Sequence, residues 1–262
     1  MTKLNITQVR NATQIIEYAD KKFLIDPLLA EKGAYPGFEG CVRSEIRNPT
    51  VELPIPAEDL IKVDAIIVTH THADHWDEAA IRLIPKEMTI YVQDRIDEAT
   101  LRSQGFTNLH VLSEISCFED VSLIKTGGQH GSDVAYAVDT LAEKLGDACG
   151  VIFKHPREKT LYIAGDTIWN DEVENVLSTH KPDIVVLNAG FAQVITFGSI
   201  IMGKEDILRA HVMLPNAKIV ATHMEAINHC ILTRKELRDY VEDHKISESV
   251  LIPEDGETNS FK

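Results

Sequence analysis

The stretch His70-Thr71-His72-Ala73-Asp74-His75 contains three imidazoles and a carboxylate within six consecutive positions. It directly follows the apolar run Ala65-Ile66-Ile67-Val68, whose β-branched composition predicts a buried strand. Alternation along an extended backbone would aim His70 and His72 the same way, and a turn into a helix would carry Asp74 and His75 toward a second point nearby. The stretch therefore predicts the beginning of a site for two metal ions rather than a solvated polar turn.

Further strand-like runs also end in residues that can bind a metal. They are 121–124 before His130, 161–164 before Asp166, and 218–221 before His223. Open α/β sheets bind ligands beyond the carboxyl ends of their strands. We therefore expect these strand ends to converge with His70 on one site.

The order of these motifs resembles that of the metallo-β-lactamase superfamily along essentially the whole chain. The motifs are H-x-H-x-D-H at 70–75, G-x-H-G at 128–131, G-D-T at 165–167 and T-H at 222–223, with 22–27 similar to the family's first hairpin. Within the superfamily, the chain looks similar to the branch of ascorbate-6-phosphate lactonase and phospholipase-D-like hydrolases. Members of that branch often carry Gly-His where this chain has Arg10-Asn11, so their substrates are not carried over.

The resemblance implies a fold and a set of metal ligands. The fold would be an α/β, four-layer αββα sandwich of two mixed β-sheets flanked by helices, formed as a single domain over residues 1–262. The resemblance gives His70, His72 and His130 to one metal and Asp74, His75 and His223 to the other. Asp166 would bridge the two ions.

The predicted chemistry is metal-dependent hydrolysis. Two divalent ions about 3.5–4 Å apart can share a water and lower its pKa from about 16 toward about 7. The bridging hydroxide would attack a small ester, lactone or phosphodiester-like substrate, and Asp74 would be both a ligand and the proton acceptor. A Gly-x-Ser-x-Gly nucleophile motif does not occur in the sequence.

The identity of the metal and the reaction class leave alternatives open. Imidazole and carboxylate ligands without thiolate suit zinc, manganese or iron. The superfamily's di-iron redox branch has glutamate where His72 stands, which argues against that chemistry. A mononuclear iron dioxygenase of the same superfamily remains an alternative, as does a non-catalytic binding module on the same fold.

Four further residues are candidates to support the site. Asp26 and Asp64, which flank strand-like runs, could orient imidazoles. Asn188 follows the run 184–187 and could either donate to a substrate oxygen or stabilise a turn. His229 could contact substrate or a ligand if a helical turn starts near Glu225.

Two long connections are candidates to shape a binding site. Residues 27–56 hold five prolines and three glycines, a composition that predicts a lid, a binding loop or an interface arm. In this connection, Tyr35 and Phe38 could touch substrate or anchor the loop. The apolar stretch 191–202 could form a pocket wall or a contact in a homo-oligomer.

The composition of the chain argues against some classes of binding partner. The net charge of −15 argues against nucleic acid, although Arg10, Arg43 and Arg47 could supply a local basic pocket for an anionic small molecule. No apolar run approaches the roughly 20 residues that span a bilayer, so no membrane partner is expected. The cysteines form no C-x-x-C pair, and the N-terminus resembles a strand rather than a signal segment, which together predict a cytoplasmic protein.

Local patterns predict the remaining elements. Strands are expected near 4–9, 13–18 and 22–26. Proline stops and capping residues predict helices at 77–83, 94–104, 171–180, 204–214 and 233–242. Thr233 and Glu236 fit a capping box at the start of the last helix.

Overall fold

The computed structural model describes residues 4–261 of the protein. Its strands, in chain order, are β1 (Leu4–Arg10), β2 (Thr13–Tyr18), β3 (Lys21–Ile25), β4 (Ala65–Val68), β5 (Ile90–Val92), β6 (Leu109–Val111), β7 (Ser116–Phe118), β8 (Val121–Thr126), β9 (Gly150–Lys154), β10 (Leu161–Ile163), β11 (Ile184–Asn188), β12 (Gln193–Val194), β13 (Gly198–Ser199), β14 (Lys218–Thr222), β15 (Val250–Leu251) and β16 (Thr258–Phe261). The helices are α1 (Ala57–Leu60), α2 (Glu78–Leu83), α3 (Arg95–Ser103), α4 (Asp133–Tyr136), α5 (Asp139–Leu145), α6 (Asp171–His180), α7 (Lys204–Met213) and α8 (Arg234–Asp243).

Two seven-stranded mixed sheets form the centre of the fold. The first has the order β16-β1-β2-β3-β4-β5-β6, and the second has the order β15-β14-β11-β10-β9-β8-β7. In each sheet one half is antiparallel and the other half is parallel. The strands that pair in parallel with one another are β3, β4, β5 and β6 in the first sheet and β10, β11, β14 and β15 in the second. The short strands β12 and β13 form a separate hairpin.

Alternating side chains divide each sheet between two layers of core. In β4, Ala65 and Ile67 belong to the cluster between the two sheets, whereas Ile66 and Val68 belong to the cluster beneath α1, α2 and α3. The outer face of the second sheet is covered in the same way by α6, α7 and α8. The predicted αββα sandwich of two mixed sheets is therefore confirmed.

Strand direction brings the predicted ligands to one edge of the sandwich. β3 and β4 are parallel, so Asp26 and His70 follow strand ends at the same edge of the first sheet. β10, β11 and β14 are parallel in the second sheet, and they lead to Asp166, Asn188 and His223. β8 runs in the same direction because two antiparallel pairings separate it from β10.

Helix starts follow the capping rules, with one difference. The side chains of Asp77 and Asp94 accept backbone N–H groups of the first turn, so these residues cap α2 and α3 rather than begin them. Thr233 caps α8 through the N–H of Glu236. The predicted capping box is only half formed, because the Glu236 carboxylate binds Lys204 instead.

The connection 27–56 is held by buried polar contacts rather than by regular structure. The guanidinium of Arg10 is fully buried and donates to the carbonyl oxygens of Leu28, Ala30 and Val51 at 2.7–3.1 Å. The other predicted basic residues also bind backbone carbonyls: Arg43 those of Asn228 and Cys230, and Arg47 those of Gly33 and Ala34. The predicted basic pocket is therefore wrong, since these arginines brace loops.

Among residues 4–261, the structure has no helix with both the length and the apolar character needed to cross a lipid bilayer.

The bracing role of Arg10 can be tested by its removal. Arg10→Met keeps the aliphatic stem but leaves three carbonyl oxygens without their donors, two of them buried and one partly buried, so we expect the free energy of unfolding to fall by about 3 kcal/mol. Urea denaturation measures the change. The matched control is Arg47→Met, which removes two bonds to carbonyl oxygens at an exposed side chain. Equal losses for the two variants would contradict the role of burial.

Candidate functional site

The predicted ligands lie in the loops that follow β4, β8, β10 and β14. The turn after β10 requires Gly165, which has φ 69° and whose Cα faces the carbonyl oxygen of Cys149. A Cβ atom at this position would lie 2.3 Å from that oxygen, closer than any real contact. This tight turn brings Asp166 back over the edge of the second sheet, toward the ligands that follow β4.

The seven predicted ligands lie together in the structure. His70, His72 and His130 can offer nitrogen atoms that all lie within 4.8 Å of one another, which is close enough to hold one ion. A second group of Asp74, His75 and His223 meets the same limit. Apart from His72, which is partly exposed, all of these side chains are buried. The two groups correspond to the two sites predicted from the sequence.

Asp166 lies between the two groups. Its Oδ2 atom is 3.2 Å from Nε2 of His75 and 3.6 Å from Nε2 of His223. The same oxygen is 3.6 Å from Nε2 of His130 and 3.9 Å from Nε2 of His70. One carboxylate oxygen thus faces two imidazoles of each group, as a ligand shared between two ions would.

The ring nitrogens that face away from the site are held by neighbouring groups. A ligating imidazole needs this second contact because it fixes the ring orientation and the tautomer. The partners are Thr69 Oγ1 for His70 (3.2 Å), the Lys144 carbonyl for His72 (2.9 Å), Asp26 Oδ2 for His75 (2.9 Å), the Ile200 carbonyl for His130 (2.9 Å) and Cys230 Sγ for His223 (3.3 Å). The carbonyl and carboxylate partners accept N–H groups, which leaves lone pairs pointing inward.

Asp26 is the most connected of the supporting residues. Besides His75, its carboxylate accepts the backbone N–H and the hydroxyl of Thr69, each at 2.7 Å. It therefore ties the end of β3 to His75 directly and to His70 through Thr69. Asp64 was predicted to act similarly, but it is exposed at the amino end of β4 and accepts the N–H of Lys22. The prediction for Asp64 is wrong.

Asn188 and His229 also lie at the site, in arrangements that the sequence did not specify. Asn188 donates from Nδ2 to Oδ1 of Asp166 at 2.6 Å, so it holds the shared carboxylate rather than a turn. His229 is buried beside the cavity described below. It reaches that place through an irregular turn, because Glu225 has φ 62° and pairs with Arg234 instead of starting a helix.

Asn11 is a site residue that the sequence analysis missed. It lies in the turn between β1 and β2, and its Nδ2 is 3.1 Å from the carbonyl oxygen and 3.4 Å from Oδ2 of Asp74. The same atom is 3.3 Å from Nε2 of His223. The sequence offered one signal, because this chain has Arg10-Asn11 where the similar hydrolases often carry Gly-His. That difference drew attention to position 11 but did not show which groups Asn11 contacts.

The electrostatics of the site favour cations. Burial lowers the pKa of His130 to about 4 and that of His70 well below its ordinary value, which keeps both rings neutral as ligands must be. Burial opposes protonation of His75 as well, but the carboxylates of Asp166, Asp26 and Asp74 outweigh it and raise its pKa to about 10. That rise reflects a negative potential, which attracts positively charged ions.

The donor set fits divalent metal ions. The inward-facing atoms are imidazole nitrogens and carboxylate oxygens, and the sulfur of Cys230 contacts only the outward nitrogen of His223. This combination suits zinc, manganese or iron. The residues present therefore fit the two-ion site that the sequence predicts.

A cavity of about 700 Å³ opens onto the site beside His72, Asp74, His130 and Asp166. Both long connections reach it, and its wall includes the apolar side chains of Phe38, Val138, Leu141, Val194, Ile195 and Phe197. Tyr35 is not part of the wall. Its hydroxyl donates to the Ala73 carbonyl, and its ring packs against Phe38. Among the described residues that line the cavity, Lys144 is the only lysine or arginine.

Comparison with known proteins gives the family. Residues 21–224 match the family model described as Beta-lactamase superfamily domain. The chain belongs to the β-lactamase superfamily. This confirms the resemblance inferred from the four motifs.

Three relatives within the superfamily resemble nearly the whole chain. The UPF0173 protein YddR of Bacillus subtilis is 46% identical over 98% of this chain and 100% of its own length. An isothiocyanate hydrolase from Delia radicum gut bacteria is 56% identical, covers 98% of this chain and 99% of its own, and superimposes with a TM-score of 0.96. A possible metal-dependent hydrolase from Veillonella parvula is 44% identical over the full length of both chains, also with a TM-score of 0.96. The chain is thus a member of a family of metal-dependent hydrolases.

The supporting role of Asp26 gives a direct test. Asp26→Asn preserves the size of the side chain but removes the charge that orients His75, so we expect metal affinity to fall about 10- to 100-fold. Competition with a chelator of known affinity, followed by elemental analysis, measures the change. Asp64→Asn is the matched control and should retain metal like the unmodified protein. Unchanged retention in Asp26→Asn would contradict the assignment.

Proposed function

We propose that the protein hydrolyses a small, neutral electrophile that carries an apolar substituent, and that isothiocyanates are its substrate class. The observation that supports this most is the cavity, in which apolar side chains from two loops face the two groups of metal-binding residues. The name of the relative that is 56% identical points to the same class. Esters and lactones, which the sequence suggested, have a comparable electrophilic carbon and serve as comparison substrates.

The cavity argues against the phosphodiester-like substrates that the sequence also suggested. Anionic phosphoryl groups are bound by arginine and lysine clusters. The three candidate arginines are engaged with backbone carbonyls, and the exposed Lys144 shares the cavity with the acidic residues Glu39, Asp74 and Asp166. A neutral substrate requires no such cluster.

We propose that the two groups of residues each hold one divalent ion, zinc or manganese. His70, His72 and His130 would bind the first ion, with Asp74, His75 and His223 on the second. Asp166 would bind both. Two such ions supply a hydroxide at neutral pH and stabilise the negative charge that develops on the substrate.

The reaction has a simple balance. An isothiocyanate, R–N=C=S, and one water give an amine, R–NH₂, and carbonyl sulfide. A C–O bond forms, the C–N bond breaks, and both hydrogens of the water end on nitrogen. Asp74, whose carboxylate lines the cavity, is proposed to accept one of these protons and return it to the nitrogen. Burial alone would raise the pKa of Asp74, but the neighbouring His75 and His223 outweigh it and hold that pKa well below its usual range, so the carboxylate is ionised.

The apolar wall would bind the substituent R. Phe38, Leu141 and Phe197 line the cavity, and burying one aromatic ring against such groups contributes about 1.5–3 kcal/mol. Binding the substituent there would turn the isothiocyanate carbon toward Asp74 and Asp166. The same packing would exclude bulk water from the reacting atoms.

Turnover and metal content together test the proposal. We expect the purified protein to release amine and carbonyl sulfide from benzyl isothiocyanate, to carry two zinc or manganese ions per chain, and to lose activity with chelator. Asp74→Asn should lower kcat at least about 100-fold, because it removes the proton acceptor. Asp64→Asn is the control and should match the unmodified protein.

Several outcomes would overturn this assignment. A single iron per chain together with oxygen uptake would favour the dioxygenase alternative. Faster cleavage of bis(p-nitrophenyl) phosphate, or of an ester or lactone panel, would replace isothiocyanates as the substrate class. Full activity of Asp74→Asn would remove Asp74 from the mechanism.

Filling the cavity tests where the substituent binds. Leu141→Trp enlarges a side chain of the α5 wall, so we expect KM for benzyl isothiocyanate to rise about tenfold while KM for methyl isothiocyanate changes little. Val134→Trp is the control, since Val134 lies on the neighbouring helix α4 with 68% of its surface exposed and outside the cavity wall. Equal effects on the two substrates would contradict binding of the substituent at this wall.

A further inference from the structure

His229 is a polar side chain within a largely apolar part of the cavity wall. It belongs to neither group of metal-binding residues, yet it lines the same cavity as Asp74 and Asp166. Only 5% of its surface is exposed. The position therefore combines burial with direct access to any molecule bound in the cavity.

The imidazole of His229 is fixed but incompletely paired. Its ring packs against Phe38 with 5.2 Å between the centroids, and its backbone carbonyl accepts the N–H of Gln193. Its Nδ1 atom is buried without a hydrogen-bond partner. Leaving a polar atom in this state costs about 1–3 kcal/mol, which an apolar side chain packed against Phe38 would avoid.

The second ring nitrogen is the one that can reach a ligand. A neutral imidazole has one donor and one acceptor. With Nδ1 enclosed by protein, Nε2 is the atom left to contact a molecule in the cavity. Burial lowers the pKa of His229 to about 4, so the ring is uncharged at neutral pH and can act there as a hydrogen-bond donor.

The position of the ring selects the atom that it would contact. In an isothiocyanate the substituent is attached to nitrogen, so the nitrogen lies closest to the apolar wall. His229 packs against Phe38 of that wall with tilted rings, and it lines the cavity together with Asp74 and Asp166. We infer that His229 is a catalytic residue that donates a hydrogen bond from Nε2 to the isothiocyanate nitrogen. This inference rests on the proposed function.

The hydrogen bond acts where negative charge develops. When oxygen adds to the central carbon, electron density moves from the C=N bond onto nitrogen, and a donor already in position stabilises that charge. A preorganised donor of this kind contributes about 10²- to 10³-fold to kcat. Both protons that the nitrogen finally keeps come from the water, one of them through Asp74, so His229 gives up no proton and remains neutral throughout.

Two substitutions at position 229 test the inference. His229→Leu removes the donor, and we expect kcat for phenyl isothiocyanate to fall about 100-fold while KM stays within about threefold. His229→Gln restores an N–H donor near the position of Nε2 and should recover about tenfold of that loss. Metal content and the unfolding temperature should match the unmodified protein in both variants, because the ring binds neither ion.

A series of para-substituted phenyl isothiocyanates identifies the substrate atom that His229 contacts. Electron-withdrawing substituents stabilise charge on nitrogen without help, so the loss caused by His229→Leu should shrink as the substituent becomes more electron-withdrawing. A loss of the same size across the series, or no recovery in His229→Gln, would overturn the contact with nitrogen. Loss of metal in both variants would show that the residue is structural and overturn it as well.

The same experiments distinguish a failure of this inference from a failure of the proposed function. Absence of turnover in the unmodified, metal-loaded protein would overturn both. Normal turnover in the unmodified protein together with full activity of His229→Leu would overturn only the role of His229. If His229→Leu fails to fold, His229→Gln is compared with His229→Asn, whose shorter amide cannot reach the Nε2 position and should leave kcat low.

Discussion

The carboxylate of Asp166 is the point on which the site depends. One of its oxygens lies within 3.9 Å of imidazole nitrogens from both groups, and the other accepts the amide of Asn188. A buried carboxylate is costly unless it is paired. Here the pairing comes from side chains that follow four different strands, so the charge is satisfied only when both sheets are in register. The chemistry of the centre and the stacking of the sheets are therefore coupled.

This coupling arises from the direction in which the strands run, and not from the sequence of each strand alone. Parallel strands expose their carboxyl ends at one edge, and the turn after each strand is free to carry a polar side chain. The apolar residues of β4 are divided between two cores, which prevents the strand from sliding by one residue. Such a shift would turn the strand's apolar side chains to the wrong cores and displace His70 and His72 from the centre. The same packing that stabilises the sandwich thus fixes the position of the ligands.

The sequence placed the seven predicted ligands in one cluster correctly, because few residue types bind metals and because short apolar runs precede these residues. It predicted their supporting contacts less well. An extended chain of six residues spans about 20 Å, so Asp64 and His70 lie at opposite ends of one strand despite their proximity in sequence. The contacts of Asn11, Ile200 and Cys230 join elements that are far apart along the chain. The sequence suggested that Arg10 binds an anion. Its true acceptors are carbonyl oxygens of the connection 27–56, which has no regular sequence pattern from which such contacts could be predicted.

Helix α5 serves two purposes at once. Its Leu141 and Lys144 line the cavity, and the carbonyl of Lys144 holds the outward nitrogen of His72. The hydroxyl of Tyr136, on the preceding helix, accepts the N–H of His130 and donates to Gly146 at the end of α5. A change in this segment that reshapes the cavity wall is therefore expected to disturb the orientation of His72 and His130 as well. The shape of the cavity and the geometry of these predicted ligands cannot be altered independently at this segment.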